Sequence, residues 1–181
     1  MCDGRAVTVQ PAGAADAAEL AEVARRTFPL ACPPAVSPQN IEAFITENLS
    51  EQRFAEYLDD PDRVVLAARD DAGAVIGYAM LIRGRPDDPQ ARRAVPEQPA
   101  VELSKLYVLP EHHGRGAAGA LMTTALAWAA ELGATCLWLG VNQHNHRARR
   151  FYTRHGFTVA GTRTFRLGDQ VENDYVMIRP L

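Results

Sequence analysis

Cysteine is scarce in this 181-residue chain: Cys2, Cys32 and Cys136 are widely spaced and form no CxxC pair. A scattered, odd-numbered set offers neither a disulfide framework nor a thiolate zinc site. A basic excess is also missing, because 19 Lys and Arg stand against 22 Asp and Glu, for a formal charge of -3. That balance argues against nucleic acid as a partner. The longest apolar run, around Ala117 to Ala130, is interrupted by Thr123 and Thr124 and is too short to span a bilayer. The opening Met1-Cys2-Asp3-Gly4-Arg5 has no charged region leading into an apolar stretch, so no secretory leader is read there. Internal repeats and low-complexity tracts are absent. The expectation is a cytoplasmic protein without a membrane partner.

What is present is ordinary globular material, 47% hydrophobic and 23% charged. A chain of this length reads as one domain, residues 1–181. Ala6 to Gln10 alternates as a strand, and Ala14 to Phe28 repeats apolar residues at helical spacing until Pro29, Pro33 and Pro34. Ser37-Pro38 reads as a cap with proline in the first turn, and Ser50 to Arg53 as a capping-box start. Arg63 to Arg69 and Val75 to Ile82 form a hairpin across Asp70-Asp71-Ala72-Gly73. Gly84 to Pro99, with four prolines, reads as a mobile surface loop. A strand from Val101 to Leu109, a helix from Gly116 to Leu132 and a strand from Thr135 to Val141 follow. Then come a helix from His146 to Arg154, closed by His155-Gly156, and strands Thr158 to Leu167 and Asn173 to Ile178 around Gly168-Asp169. The order predicts a mixed α/β sheet flanked by helices.

The richest segment runs from Leu106 through Gly114, Arg115, Gly116, Ala117, Ala118 and Gly119 to Leu121. A strand feeds a glycine-rich loop and then a helix N-terminus, an arrangement that binds phosphate. The glycines satisfy GxGxxG, yet no acid occurs between Glu131 and Asp169 to hold a ribose, and a four-residue spacer separates strand from glycine. Dinucleotide binding is therefore disfavoured. No Gly-Lys-Ser/Thr follows, which excludes a P-loop.

The loop from His113 to Ala118 resembles the acetyl-CoA loop of the GNAT superfamily of N-acetyltransferases, Gln/Arg-x-x-Gly-x-Gly/Ala after a strand ending in Val-x-Pro. His113 departs from the pattern, standing where Gln or Arg is usual. Asn145 to Phe157 resembles the same superfamily's N-x-x-A-x-x-F-Y-x-x-x-G-F helix and turn. The Trp138 to Val141, Phe165 to Asp169 and Asp174 to Met177 segments look like the PaiA-type polyamine acetyltransferase branch.

The resemblance implies a GNAT-like, mostly antiparallel sheet of about seven strands and acetyl-CoA as co-substrate. It implies direct transfer of acetyl to the primary amine of a small, polyamine-like molecule. Leu106, Tyr107 and Val108 would pair with the pantetheine arm, and the Val108 N–H would meet the thioester carbonyl. His113 to Gly119 would hold the pyrophosphate, with Arg115 the strongest cationic contact. Asn145 would cap its helix or meet the pantetheine. Tyr152 would protonate the departing sulfur, and Glu102, sharing a strand face with Ser104 and Leu106, would be the base. The base position of other branches falls near Gly140 and cannot serve. Arg147, Arg149, Arg150 and Arg154 form a basic face suited to solvent or to the ribose phosphate. His112, His113, His144 and His146 lack a third ligand at metal spacing, so no metal is expected. Homodimers through the C-terminal strands occur in such proteins. Acetylation of a protein N-terminus or lysine, and a non-catalytic acyl-CoA-binding module, remain as alternatives.

Overall fold

A computed structural model describes residues 6–181; Cys2 and the Met1 to Arg5 opening lie outside the described residues. The elements are β1 (Thr8–Pro11), α1 (Ala17–Ala31), α2 (Pro38–Asn48), α3 (Glu51–Asp59), β2 (Arg63–Arg69), β3 (Val75–Arg83), α4 (Pro89–Ala94), β4 (Ala100–Val108), α5 (Ala117–Glu131), β5 (Cys136–Asn142), α6 (His146–Arg154), β6 (Thr158–Leu167) and β7 (Gln170–Pro180). The strands form one seven-stranded sheet in the order β1-β2-β3-β4-β5-β7-β6. Every pairing is antiparallel except β4 with β5. This is the mixed, mostly antiparallel GNAT-like sheet expected from the residues and the resemblance.

One face of the sheet is covered by α5, whose Leu121, Met122 and Ala125 meet Leu66, Ala79, Leu103 and Leu139. Phe151, Tyr152 and Ala148 of α6 close the same layer. The other face carries α1 and α3, with Leu20, Phe28, Phe54 and Tyr57 packed on Val65, Tyr78 and Met80. Gly77 lies opposite Val108, where an added Cβ would come within 2.8 Å of the Tyr107 carbonyl. The two central strands approach closely only because that position is glycine.

Three local expectations need correction. Pro29 does not end α1 but lies within it, and the helix runs to Ala31. Proline removes only its own N–H, and the last turn still closes through Cys32 N–H to Pro29 O at 3.3 Å. The stop comes from Pro33, which favours the extended conformation Cys32 adopts (φ -77, ψ 143). The segment from Gly84 to Pro99 is not a structureless loop, since it holds α4, with Asp88 accepting from Gln90 N–H and Pro89 in the first turn. Ala91 and Val95 anchor it against Ala100, Cys136, Trp138 and Val176. Ser50 caps α3 by accepting from Arg53 N–H at 3.2 Å. The reciprocal half of a capping box is missing, because position 53 is an arginine, which cannot accept.

Candidate active site

β4 and β5 pair over only three positions, Ala100 with Cys136, Val101 with Leu137 and Glu102 with Trp138. β4 then bulges: Met80 faces Lys105 and Leu81 faces Leu103, leaving Ser104 as the extra residue. A bulge bends its strand and increases the local twist. β5 meanwhile stays paired to β7 as far as Asn142 with Asp174. The sheet therefore forks, and a cavity of about 810 Å³ fills the fork.

The bulge also reverses which side chains share a face. Val101 and Leu103 pack toward α5 before it, and Leu106 and Val108 pack there after it. Glu102 is thus grouped with Lys105 and Tyr107, not with Ser104 and Leu106 as strict alternation predicts. Leu109 N–H donates to Ile76 O at 2.9 Å, and Val108 faces Gly77. In an antiparallel ladder this turns the N–H and C=O of Val108 and Leu106 away from β3 and into the fork.

At the wide end of the fork the chain turns through Pro110–His112 into the glycine loop. Gly114 (φ 76) and Gly116 (φ 85) hold left-handed conformations that disfavour any residue with a Cβ. Gly116 caps α5 without a side chain, and the first N–H satisfied by that turn is Ala120, bonded to Gly116 O at 2.9 Å. The N–H groups of Ala117, Ala118 and Gly119 are left as donors at the positive end of the helix dipole. Arg115 is exposed beside them.

The His113 ring turns back on the strand, with Nε2 2.7 Å from the Val108 carbonyl. A carbonyl only accepts, so Nε2 carries the proton and donates. The His113 backbone N–H is bound to Pro110 O at 3.1 Å. His113 therefore pins the loop to the end of β4, and Nδ1 is the ring atom left to meet a ligand. Glu111 binds Arg26 of α1 at 2.7 Å. Its carboxyl is held below the usual range by its own backbone N–H and by Arg26.

Asn145 caps α6, accepting from Ala148 N–H at 3.1 Å. Two turns on, Tyr152 is wedged between Phe151 (5.5 Å) and Phe157 (5.8 Å), edge-on to both. Its hydroxyl has no hydrogen bond among the described residues, lines the cavity, and is pushed up to about 12 by burial. The arginines of α6 divide. Arg149 is structural, stacked 4.6 Å from the Tyr175 ring centroid and donating to Gln143 O, whereas Arg147 and Arg154 line the cavity.

The opposite end of the cavity is bounded by the end of α1 (Phe28, Cys32), Phe44 of α2, and Phe165 and Leu167 of the β6–β7 hairpin. Its charged groups are Glu102, Lys105, Arg163, Glu172 and Asp174. Asp174 is 6% exposed and accepts from Arg163 Nε at 3.3 Å. Burial raises its carboxyl, and Arg163 opposes that rise. The Arg163 guanidinium lies over Trp138 and fills the space a Cβ of Gly140 would need. Burial raises the Glu102 carboxyl as well, with Arg163, Lys105 and Arg63 opposing.

Lys105 is the functional candidate that motif reading passed over. Its ammonium donates to Ser104 Oγ at 3.3 Å, and desolvation brings its pKa down to about 8, against the pull of Glu102. The sequence carried a signal: Lys105 is the sole lysine, and the other 18 of the 19 basic residues are arginine. Among the described residues no group of three or more His, Cys, Asp or Glu is gathered as a metal site.

Residues 19–157 match the family model for the acetyltransferase (GNAT) family. The uncharacterized N-acetyltransferase Rv2669 of Mycobacterium tuberculosis is 60% identical over 166 residues, covering 92% of this chain and 98% of that protein. Among solved structures, the PaiA N-acetyltransferase of Thermoplasma acidophilum in complex with coenzyme A superposes with a TM-score of 0.76 at 21% identity, covering 97% of this chain and 99% of that one. Arabidopsis thaliana NAA60 in complex with a bisubstrate analogue superposes at 0.74 with 18% identity, covering 97% and 99%. These two likenesses speak for the fold.

Proposed function

The chain belongs to the GNAT acetyltransferase family, and from that premise we propose that it transfers the acetyl group of acetyl-CoA directly to the primary amine of a small molecule. The observation that carries this reading is the row of unpaired backbone groups running along one side of the fork. Leu106 offers a strand-type donor and acceptor and Val108 its N–H, its carbonyl being taken by His113, and α5 ends the row with three unpaired N–H groups. A chain with two amides followed by a pyrophosphate fits this row: the pantetheine arm would lie against β4 and the pyrophosphate would rest on Gly114 to Gly119. Arg147 and Arg154, which line the cavity, and Arg115, exposed on the loop beside it, would meet the remaining phosphate, and His113 would hold the loop, its Nδ1 left for the ligand. Asn145 has its amide nitrogen free for the arm.

The thioester carbonyl then comes to the Val108 N–H, which polarises it. Tyr152, protonated at any working pH because burial raises it to about 12, gives its proton to the leaving sulfur and regains one from the attacking nitrogen. Glu102, on the acceptor side of β4, holds the incoming ammonium and draws its proton. No side chain is needed as a nucleophile, and burial raises the Cys32 thiol to about 11, which keeps it out of covalent chemistry.

The acceptor end presents Glu102, Glu172 and Asp174 against Lys105 and Arg163. A small negative balance among aromatic walls suits an acceptor with one ammonium and an apolar body, with polyamines the first class to compare. Thiol release from acetyl-CoA, measured across polyamines, aminoglycosides, amino acids and short peptides, tests the proposal. Release confined to peptides moves the protein to N-terminal or lysine acetylation. Tight acetyl-CoA binding without release from any amine leaves a binding module.

A further inference from the structure

We infer that Lys105 is the terminal acceptor of the proton that the substrate amine must lose. This rests on the acetyl-transfer reading and adds a residue to it. The first support is compositional: wherever else this chain uses a basic side chain it uses arginine, and the one lysine stands in the acceptor end of the fork. Arginine stays charged at any working pH, whereas lysine can lose its proton. A cation needed only for charge or packing would be met by arginine, as at the other 18 basic positions.

The second support is geometric. The Ser104 bulge puts Lys105 on the face of β4 that Glu102 shares. The groups acting on its ammonium come from three strands: Glu102 on its own, Arg63 of β2 and Arg163 of β6. Asp87 acts on Glu102, and Asp174 neutralises Arg163. Ser104 Oγ accepts from Nζ at 3.3 Å. Two arginines and the loss of water thus oppose the charged form, and one carboxylate favours it. Loss of water is the largest of these effects, and together they bring Lys105 down to about 8.

Proton affinity then decides between the two groups. An ordinary alkylammonium titrates near 10.4, and an ordinary glutamate near 4.3. Burial raises Glu102 above such a carboxylate, so a proton held there costs less than the about millionfold of an ordinary glutamate, while an amine at about 8 takes it at a cost of only a few hundredfold. Glu102 holds the ammonium and passes its first proton on to the neutral Lys105 amine, which later returns it to water. The freed lone pair forms the C–N bond as the C–S bond breaks. The second proton leaves the attacking nitrogen for Tyr152, which supplies the sulfur.

Because Lys105 is the sole lysine, protein made with 13Cε-lysine shows one side-chain signal, whose titration is read by NMR. The expected midpoint is about 8. The kcat/KM profile should rise through a limb at the same pH, and both Lys105→Arg and Lys105→Met should lose that limb while acetyl-CoA binding, measured by calorimetry, is kept. A midpoint at 10 or above, or a limb retained in both variants, overturns the assignment. So does a gain of one acetyl group on Lys105 when wild type is incubated with acetyl-CoA, which would make the lysine an acceptor of acetyl. Wild type that releases no thiol with any amine overturns acetyl transfer itself and the base with it. It is told apart because failure of the lysine alone leaves turnover intact.

Discussion

The two halves of the forked sheet are built on different principles. On the side proposed for the coenzyme, the groups on offer are backbone N–H and C=O from Leu106 to Gly119, contiguous in the chain and shaped by Gly114 and Gly116. On the acceptor side they are side chains, brought from α1, α2, β4 and the β6–β7 hairpin across more than a hundred residues. A backbone cradle is general and tolerates side-chain change wherever its glycines are kept. A side-chain pocket depends on burial and charge pairing, so it is where specificity and stability are in tension.

Substitutions separate the halves, and the largest effect belongs to the coenzyme side. Gly119→Asp has room, since nothing lies within 4 Å of its Cβ position. It places a negative charge where the pyrophosphate should lie, at a cost of about 4 kcal/mol for charges about 4 Å apart. Acetyl-CoA binding, followed by calorimetry, should weaken about a thousandfold. The thermal midpoint should hold or rise, because an acid in the first turn of a helix contributes about 0.3–1 kcal/mol. Unchanged affinity would remove the pyrophosphate from α5.

Tyr152→Phe stands at the junction of the halves. It should lower kcat by at least about a hundredfold and leave the acetyl-CoA dissociation constant as it is. A variant with full kcat assigns the leaving-group proton elsewhere.

On the acceptor side the sharper reading is stability. Unfolded Lys105 binds its proton up to about pH 10.4, and folded Lys105 only to about 8. The unfolded state therefore holds more protons in that window, so wild-type stability rises with pH from 8 toward 10. Denaturant melts should show Lys105→Met more stable than wild type at pH 7 by roughly 2 kcal/mol, a figure discounted because the side chain is only partly buried. The advantage should shrink as pH approaches 10, and a constant difference would mean that Lys105 titrates normally when folded. The smallest effect tests the flank: Asp88→Ala removes the cap of α4. It should cost about 1 kcal/mol, or about 2–4 °C in the thermal midpoint, without changing acetyl-CoA affinity.

The same division governs what could be read from the chain beforehand. β4, the loop and α5 were legible because glycine, helix start and strand end are neighbours in sequence, and Asn145 to Phe157 was legible for the same reason. The acceptor side was not. A single bulge at Ser104 reversed the expected grouping of Glu102, and nothing in local alternation announces a bulge. α4 hid among four prolines, although Asp88-Pro89 is itself a cap followed by a first-turn proline. Lys105 needed a count of residue types before it stood out, and the pairing of Arg163 with Asp174 required the β6–β7 register.

The three-residue pairing of β4 with β5 has a kinetic corollary. Past Glu102 the sheet has two interior edges, and a pantetheine arm laid along β4, as proposed, would become a temporary strand. Strand hydrogen bonds to that arm are the same before and after the acetyl group leaves. Interactions that do not distinguish the two states lower both equally and add nothing to the chemical step. Free coenzyme A should therefore compete with acetyl-CoA at nearly equal affinity, so product that accumulates slows every further cycle.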